Sequence, residues 1–118
     1  MKRFLAVYLG SPQSPAHEPW NALPAAARKE REAAGMAAWM RWGEEHAASI
    51  VDAGGPLGKT KRVDARGVAD TRNMVCGYVL IEAPSHEAAA RLFEQHPHFS
   101  IFPGDAVEIM ECTPIPRM

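Results

Sequence analysis

Between Met74 and Ala83 the chain reads MVCGYVLIEA, and both parities are apolar: Tyr78 and Leu80 alternate with Val79 and Ile81. Successive residues of a strand point to opposite faces, so this strand needs cover on both sides. The segment KRFLAVYL, residues 2–9, has the same character. A sheet with one wet face would show apolar-polar alternation instead. Any fold open to this chain must bury both faces of its central strands.

The remaining segments supply the partners. Residues 10–24 hold four prolines and read as a long loop, with Trp20 needing an apolar surface to cover. Residues 25–52 read as one helix with Met36, Trp39, Met40, Ala47, Ile50 and Val51 on a single stripe. Gly43 lies on its apolar side, which points to close approach of another backbone. Gly54, Gly55 and Pro56 supply its stop. Lys61–Asp64 and Met74–Ala83 form a hairpin around ARG. Ser85 caps a second helix whose inward face is Ala88, Ala89, Leu92, Phe93 and His96, and Pro97 ends it. A last strand covers 106–112, followed by the tail TPIPRM. The order β-α-β-β-α-β is α+β and ferredoxin-like. Two helices cover one sheet face. The chain has no spare element for the other, so a second copy, a homodimer, is the economical cover.

The 118 residues suggest a single domain over 1–118, large enough to fold without metal or disulfide. The net charge of −1 speaks against a nucleic-acid partner or an anionic membrane surface. No apolar run nears the ~20 residues that span a bilayer, and no signal peptide is evident, so a cytoplasmic protein is expected. Cys76 and Cys112 are far apart and read as two buried free thiols.

AGGPLGKT at 53–60, CGYVLIEAPSHEAAARLFEQHPHF at 76–99 and GDAVEIMECTP at 104–114 resemble the YCII-related family, including its DGPF-type members. The resemblance covers about 1–8 and 36–114. It implies a dimeric α/β barrel in which two ferredoxin-like sheets face one another. It also implies a cleft where some members are proposed to use a His and Asp pair. Gly55, Pro56, Leu57 and Gly58 match the family's Gly-Pro-Leu-Gly. Where the family often has Asp-Pro-aromatic, this chain has His96, Pro97 and His98, so a histidine replaces the acid. The DGPF stretch is absent, since Thr71, Arg72 and Asn73 follow Asp70.

His96 and His98 carry three readings: a helix terminus favoured by the dipole, a general base or ligand contact, or a metal site. Zinc would need a third ligand such as His46 or Asp105, and no metal or other cofactor is expected. Trp39 and Trp42, three apart, read first as core, with Trp42 able to border a cleft. Asp52, Lys59, Lys61 and Arg62 form a charged rim, which is not a phosphate-binding loop. Arg66, Asp70 and Arg72 read as a solvated face. The leading expectation is a cleft for a small polar or anionic molecule, with His96 as acid or base and His98, Trp42, Asp52 and Lys59 as ligand contacts. The alternative is a non-catalytic dimeric interaction or regulatory module.

Overall fold

The computed structural model describes residues 1–116; Arg117 and Met118, the end of the expected tail, lie outside the described residues. The architecture is α+β. Strand β1 (Lys2–Leu9) is followed by short helix α1 (Glu18–Asn21), long helix α2 (Ala25–Glu45) and strand β2 (Ile50–Pro56). Then come β3 (Thr60–Asp64), β4 (Gly67–Thr71), β5 (Val75–Ala83), short helices α3 (His86–Arg91) and α4 (Pro97–Ser100), and β6 (Ala106–Glu111). The main sheet has the order β2-β5-β1-β6, with every neighbouring pair antiparallel. This is the ferredoxin-like arrangement.

The two central strands are the ones apolar on both faces. Phe4, Ala6 and Tyr8 of β1 and Val79, Ile81 and Ala83 of β5 point toward the helices and form the core. Phe4 pairs directly with Ile81, and both are fully buried. Burial of each such side chain contributes roughly 1.5–3 kcal/mol. On the opposite face Leu5, Val7, Tyr78 and Leu80 are half-exposed, and Met110 is exposed beside Leu5.

The second sheet strand is Ile50–Pro56, not Lys61–Asp64 as the sequence predicts. Ile50 and Val51 fall a near-whole number of turns beyond Met36, so they mimic a continued helical stripe. The helix stops at Glu45, and the β-branched pair enters the sheet with Ile50 opposite Ile81. Gly54 and Gly55 are part of that strand. Gly54 adopts φ +63° where the β2–β5 register shifts, and a Cβ there would strike the Tyr78 carbonyl. The β3–β4 hairpin is a separate two-stranded sheet, exposed from Lys61 to Thr71.

Helix α2 also differs from its expected stripe. Met36 and Met40 are exposed, whereas Gly35 and Trp42 are buried. Gly43 does not admit a neighbouring backbone; nothing lies within 4 Å of where its Cβ would be. Gly35 is the close-packed glycine, its Cβ position 2.5 Å from Cε2 of Phe102. The loop at 10–24 contains a 3-10 turn (Pro15–His17) and α1, and Trp20 covers Phe102 with ring centroids 5.9 Å apart. Cys76 is half-buried, but Cys112 is exposed beyond the end of β6, so only one thiol is inside. Among the described residues no helix is long and apolar enough to cross a membrane.

Candidate functional site

Ser85 accepts from the Ala88 N–H at 3.1 Å and starts α3, as its position before an alanine run predicts. The helix then ends early. Gln95 takes φ +56°, the chain reverses, and Pro97 opens a new helix instead of ending the old one. Proline is well suited to a first helical position, and the residue before it is held extended. His96, with ψ 141°, is therefore an N-cap: its Nδ1 accepts the His98 N–H at 3.0 Å.

This turn drives both imidazoles inward. His96 is fully buried among Trp39, Trp42, Phe93 and Tyr8, with the Trp39 ring centroid 4.6 Å away. Its Nε2 lies 3.3 Å from the Tyr8 hydroxyl. Burial pushes its pKa down to about 4, with charge repulsion from His98 and His46 as lesser causes. His98 is 7% exposed, and its Nε2 lies 2.7 Å from the Leu9 carbonyl, so Nε2–H donates and the neutral ring keeps its lone pair on Nδ1. Burial lowers the His98 pKa as well, while the Leu9 hydrogen bond and Asp105 oppose that shift. Gly104 holds the ring edge in place: a Cβ there would strike His98 Cε1, Nε2 and its carbonyl.

The backbone of α2 approaches α4 but hardly the strands. The gap is filled partly by the side chains of Trp39 and Trp42, and what remains is a cavity of about 470 Å³. Its walls include Tyr8, Trp39, Trp42, Phe102, Val79 and Ile50, with Gly43, Cys76 and His98 also lining it. Trp42 is fixed from behind by its indole N–H, which donates to the Leu92 carbonyl at 2.8 Å. Burial pushes both the Tyr8 phenol and the Cys76 thiol above their ordinary pKa values, so both stay protonated near neutrality.

Of the sequence-predicted set, His98 and Trp42 meet at this cavity. His96 lies beneath it, among the aromatic rings, and does not line it. Asp52 is exposed and accepts the Gly54 N–H at 2.8 Å, which serves the β2 bulge. Lys59 is exposed and borders a separate, wider groove beside the β3–β4 hairpin with Lys61, Asp70 and Arg72. No Lys, Arg, Asp or Glu lines the aromatic cavity among the described residues, so of the polar or anionic ligand expected from the sequence, it offers an anion no charged partner. Tyr8 was legible in principle. It shares the inward parity of Phe4 and Ala6 and carries that face's polar atom at the strand end. Phe102 and Cys76 give no comparable sequence signal. No group of three or more potential metal ligands converges among the described residues.

The model of the YCII-related domain matches residues 12–114. No curated protein matches. The fold is similar to that of 5-chloro-2-hydroxyhydroquinone dehydrochlorinase from Burkholderia phenoliruptrix, solved in complex with 2,5-dihydroxybenzoquinone. The TM-score is 0.53 at 20% identity, covering 94% of this chain and 93% of that one. With nearly nine-tenths of its length inside the family match, this chain belongs to the YCII-related domain family.

Proposed function

We propose that this protein binds a small planar ring compound in the cavity between α2 and the sheet, with His98 as the titratable group that meets it. The observation that carries the reading is the cavity itself: about 470 Å³ walled by Tyr8, Trp39, Trp42 and Phe102, with one buried imidazole at its edge. Apolar and aromatic walls with a few placed polar groups are the usual make-up of a small-molecule site. The similar dehydrochlorinase is solved with a six-membered ring ligand, which agrees in size and shape.

The acid or base role moves from His96 to His98. His96 spends its Nδ1 lone pair on the His98 N–H and is sealed from solvent. His98 keeps a free Nδ1 lone pair, and no buried side-chain nitrogen or oxygen lacks a partner among the described residues, so that atom is not sealed in. Near neutral pH the unprotonated ring can take a proton from a ligand hydroxyl.

The half-exposed face of Leu5, Val7, Tyr78 and Leu80 belongs, in this reading, to a homodimer in which two sheets face each other. That face supports the alternative of a purely structural dimer module equally well, so the ligand decides between them. A thermal-shift screen of ring compounds reads this directly, because a ligand that binds only the folded state raises the melting midpoint. Saturable shifts with neutral ring compounds support binding. A screen in which none of them moves the midpoint leaves the module reading in its place.

A further inference from the structure

The hydrogen-bond directions around Tyr8 are fixed from a backbone amide outward. The His98 N–H can only donate, so His96 Nδ1 is an acceptor and carries no proton. A neutral imidazole then holds its proton on Nε2. That nitrogen faces the Tyr8 oxygen at 3.3 Å, so Nε2–H donates and the phenol oxygen accepts. The phenol's own hydrogen must therefore point away from His96. Among the described residues the Tyr8 hydroxyl has no hydrogen-bond partner besides His96, and Tyr8 lines the cavity.

His98 has the same tautomer. Nε2–H donates to Leu9, so Nδ1 is an acceptor. Tyr8 and His98 both line the apolar aromatic cavity, and their unpaired polar functions are one hydroxyl donor and one ring-nitrogen acceptor. The two rings lie with centroids 5.2 Å apart, close enough to serve substituents of one small ring. Neither group is charged when its neighbours are in these states, and no charged side chain joins them in the lining.

We infer that Tyr8 is a fixed hydrogen-bond donor to the ligand, and that Tyr8 and His98 together select neutral ring compounds carrying a carbonyl oxygen and a hydroxyl group. The carbonyl oxygen accepts from Tyr8, and the hydroxyl donates to His98 Nδ1. This inference rests on the aromatic-cavity reading above. Burial supports it from both sides. The Tyr8 phenol is pushed well above its ordinary value and stays a donor, and His96 is held neutral, so its tautomer persists.

Two measurements on the full chain test it. The first needs no ligand and no variant: long-range ¹H–¹⁵N correlation spectra of histidine-labelled protein near neutral pH. The expected spectrum shows His96 protonated on Nε2 alone and His98 likewise. A His96 ring carrying its proton on Nδ1, or on both nitrogens, overturns the assignment of Tyr8 as a free donor. The second is calorimetric titration with 4-hydroxyacetophenone and with 4-ethylphenol, which matches its hydroxyl and size but lacks the carbonyl. The wild type should bind the ketone more tightly. Tyr8→Phe should weaken the ketone about tenfold and leave 4-ethylphenol within about twofold, the size expected for one lost hydrogen bond. Equal weakening of both probes, or of neither, overturns the selection. A wild type that binds neither probe rejects the aromatic-cavity reading and the ligand class with it, whereas a wrong tautomer with normal binding rejects the Tyr8 donor alone.

Discussion

The backbone N–H of His98 donates to the Nδ1 of His96 across 3.0 Å, and this one contact turns an apparent histidine pair into a helix cap. His96 closes the first turn of α4 and, through it, aims His98 at the cavity edge. His96→Ala removes the cap acceptor and a fully buried ring together. It should cost roughly 3 kcal/mol in denaturant unfolding. His96→Asn restores an acceptor at the same position and should recover part of that loss. Loss of less than about 0.5 kcal/mol in His96→Ala would contradict the structural role.

Stability should depend on pH through the same residue. An unfolded histidine titrates near about 6.5. Burial holds folded His96 down to about 4. Between those values the unfolded chain binds a proton that the folded chain refuses, so stability rises with pH and is complete above the unfolded value. On acidification it is lost progressively, by roughly 3 kcal/mol once pH has fallen through the folded value. His98, shifted in the same direction, adds to the slope. Unfolding free energies measured from about pH 7 to about pH 4 should fall steadily, and His96→Asn should flatten the curve. A flat wild-type profile over that window is the opposing result.

Gly104→Ala tests how the His98 ring is held. The new methyl group would meet the ring's Cε1–Nε2 edge and the His98 carbonyl, which also accepts the Gly104 N–H at 2.8 Å. Because one obstacle is backbone, side-chain adjustment alone cannot relieve the clash. The variant should lose roughly 1–3 kcal/mol and shift the His98 ring resonances, as overpacking does elsewhere. Unchanged stability and unchanged His98 spectra would show that the ring is not clamped there.

The HPH stretch should not hold a structural metal. His96 uses Nδ1 for the cap and faces Tyr8 with Nε2, and His98 uses Nε2 on Leu9. A metal would have to displace these contacts. Chelator should leave the melting midpoint unchanged, and a fall of several degrees that zinc reverses would refute this.

The sheet face predicts an assembly. Light scattering at micromolar concentration should give twice the chain mass, and Leu80→Glu, at the centre of the half-exposed face, should shift the population to monomer. A wild-type monomer at that concentration, or a Leu80→Glu dimer, argues against pairing through this face.

The sheet and the site were unequally legible in the sequence. The central strands declared themselves because both parities of 2–9 and 75–83 are apolar, and that composition has few explanations. The second sheet strand was hidden. Ile50 and Val51 continue a helical period by coincidence, and the glycines at 54 and 55 look the same at a helix stop as at a bulge. His98 and Trp42 were visible as candidates because a histidine beside a helix break and a second tryptophan on one helix are unusual. Asp52 and Lys59 followed from treating nearness in sequence to GGPLG as nearness in space, whereas the β2 bulge and the exposed hairpin carry them elsewhere. The cavity itself was not legible. It arises because α2 stands off the sheet, and no local pattern reports the distance between two elements.

Gly43 offers the most direct test of the central claim. It lines the cavity, and its Cβ position has open space around it. Gly43→Leu should therefore take up part of the cavity, its Cβ meeting no neighbour, while gaining roughly 0.5–1 kcal/mol of helix stability. Calorimetric titration of 4-ethylphenol should show one saturable site in the wild type and none in this more stable variant. Equal binding by the two proteins, or no saturable heat in the wild type, would contradict a ligand site between α2 and the sheet.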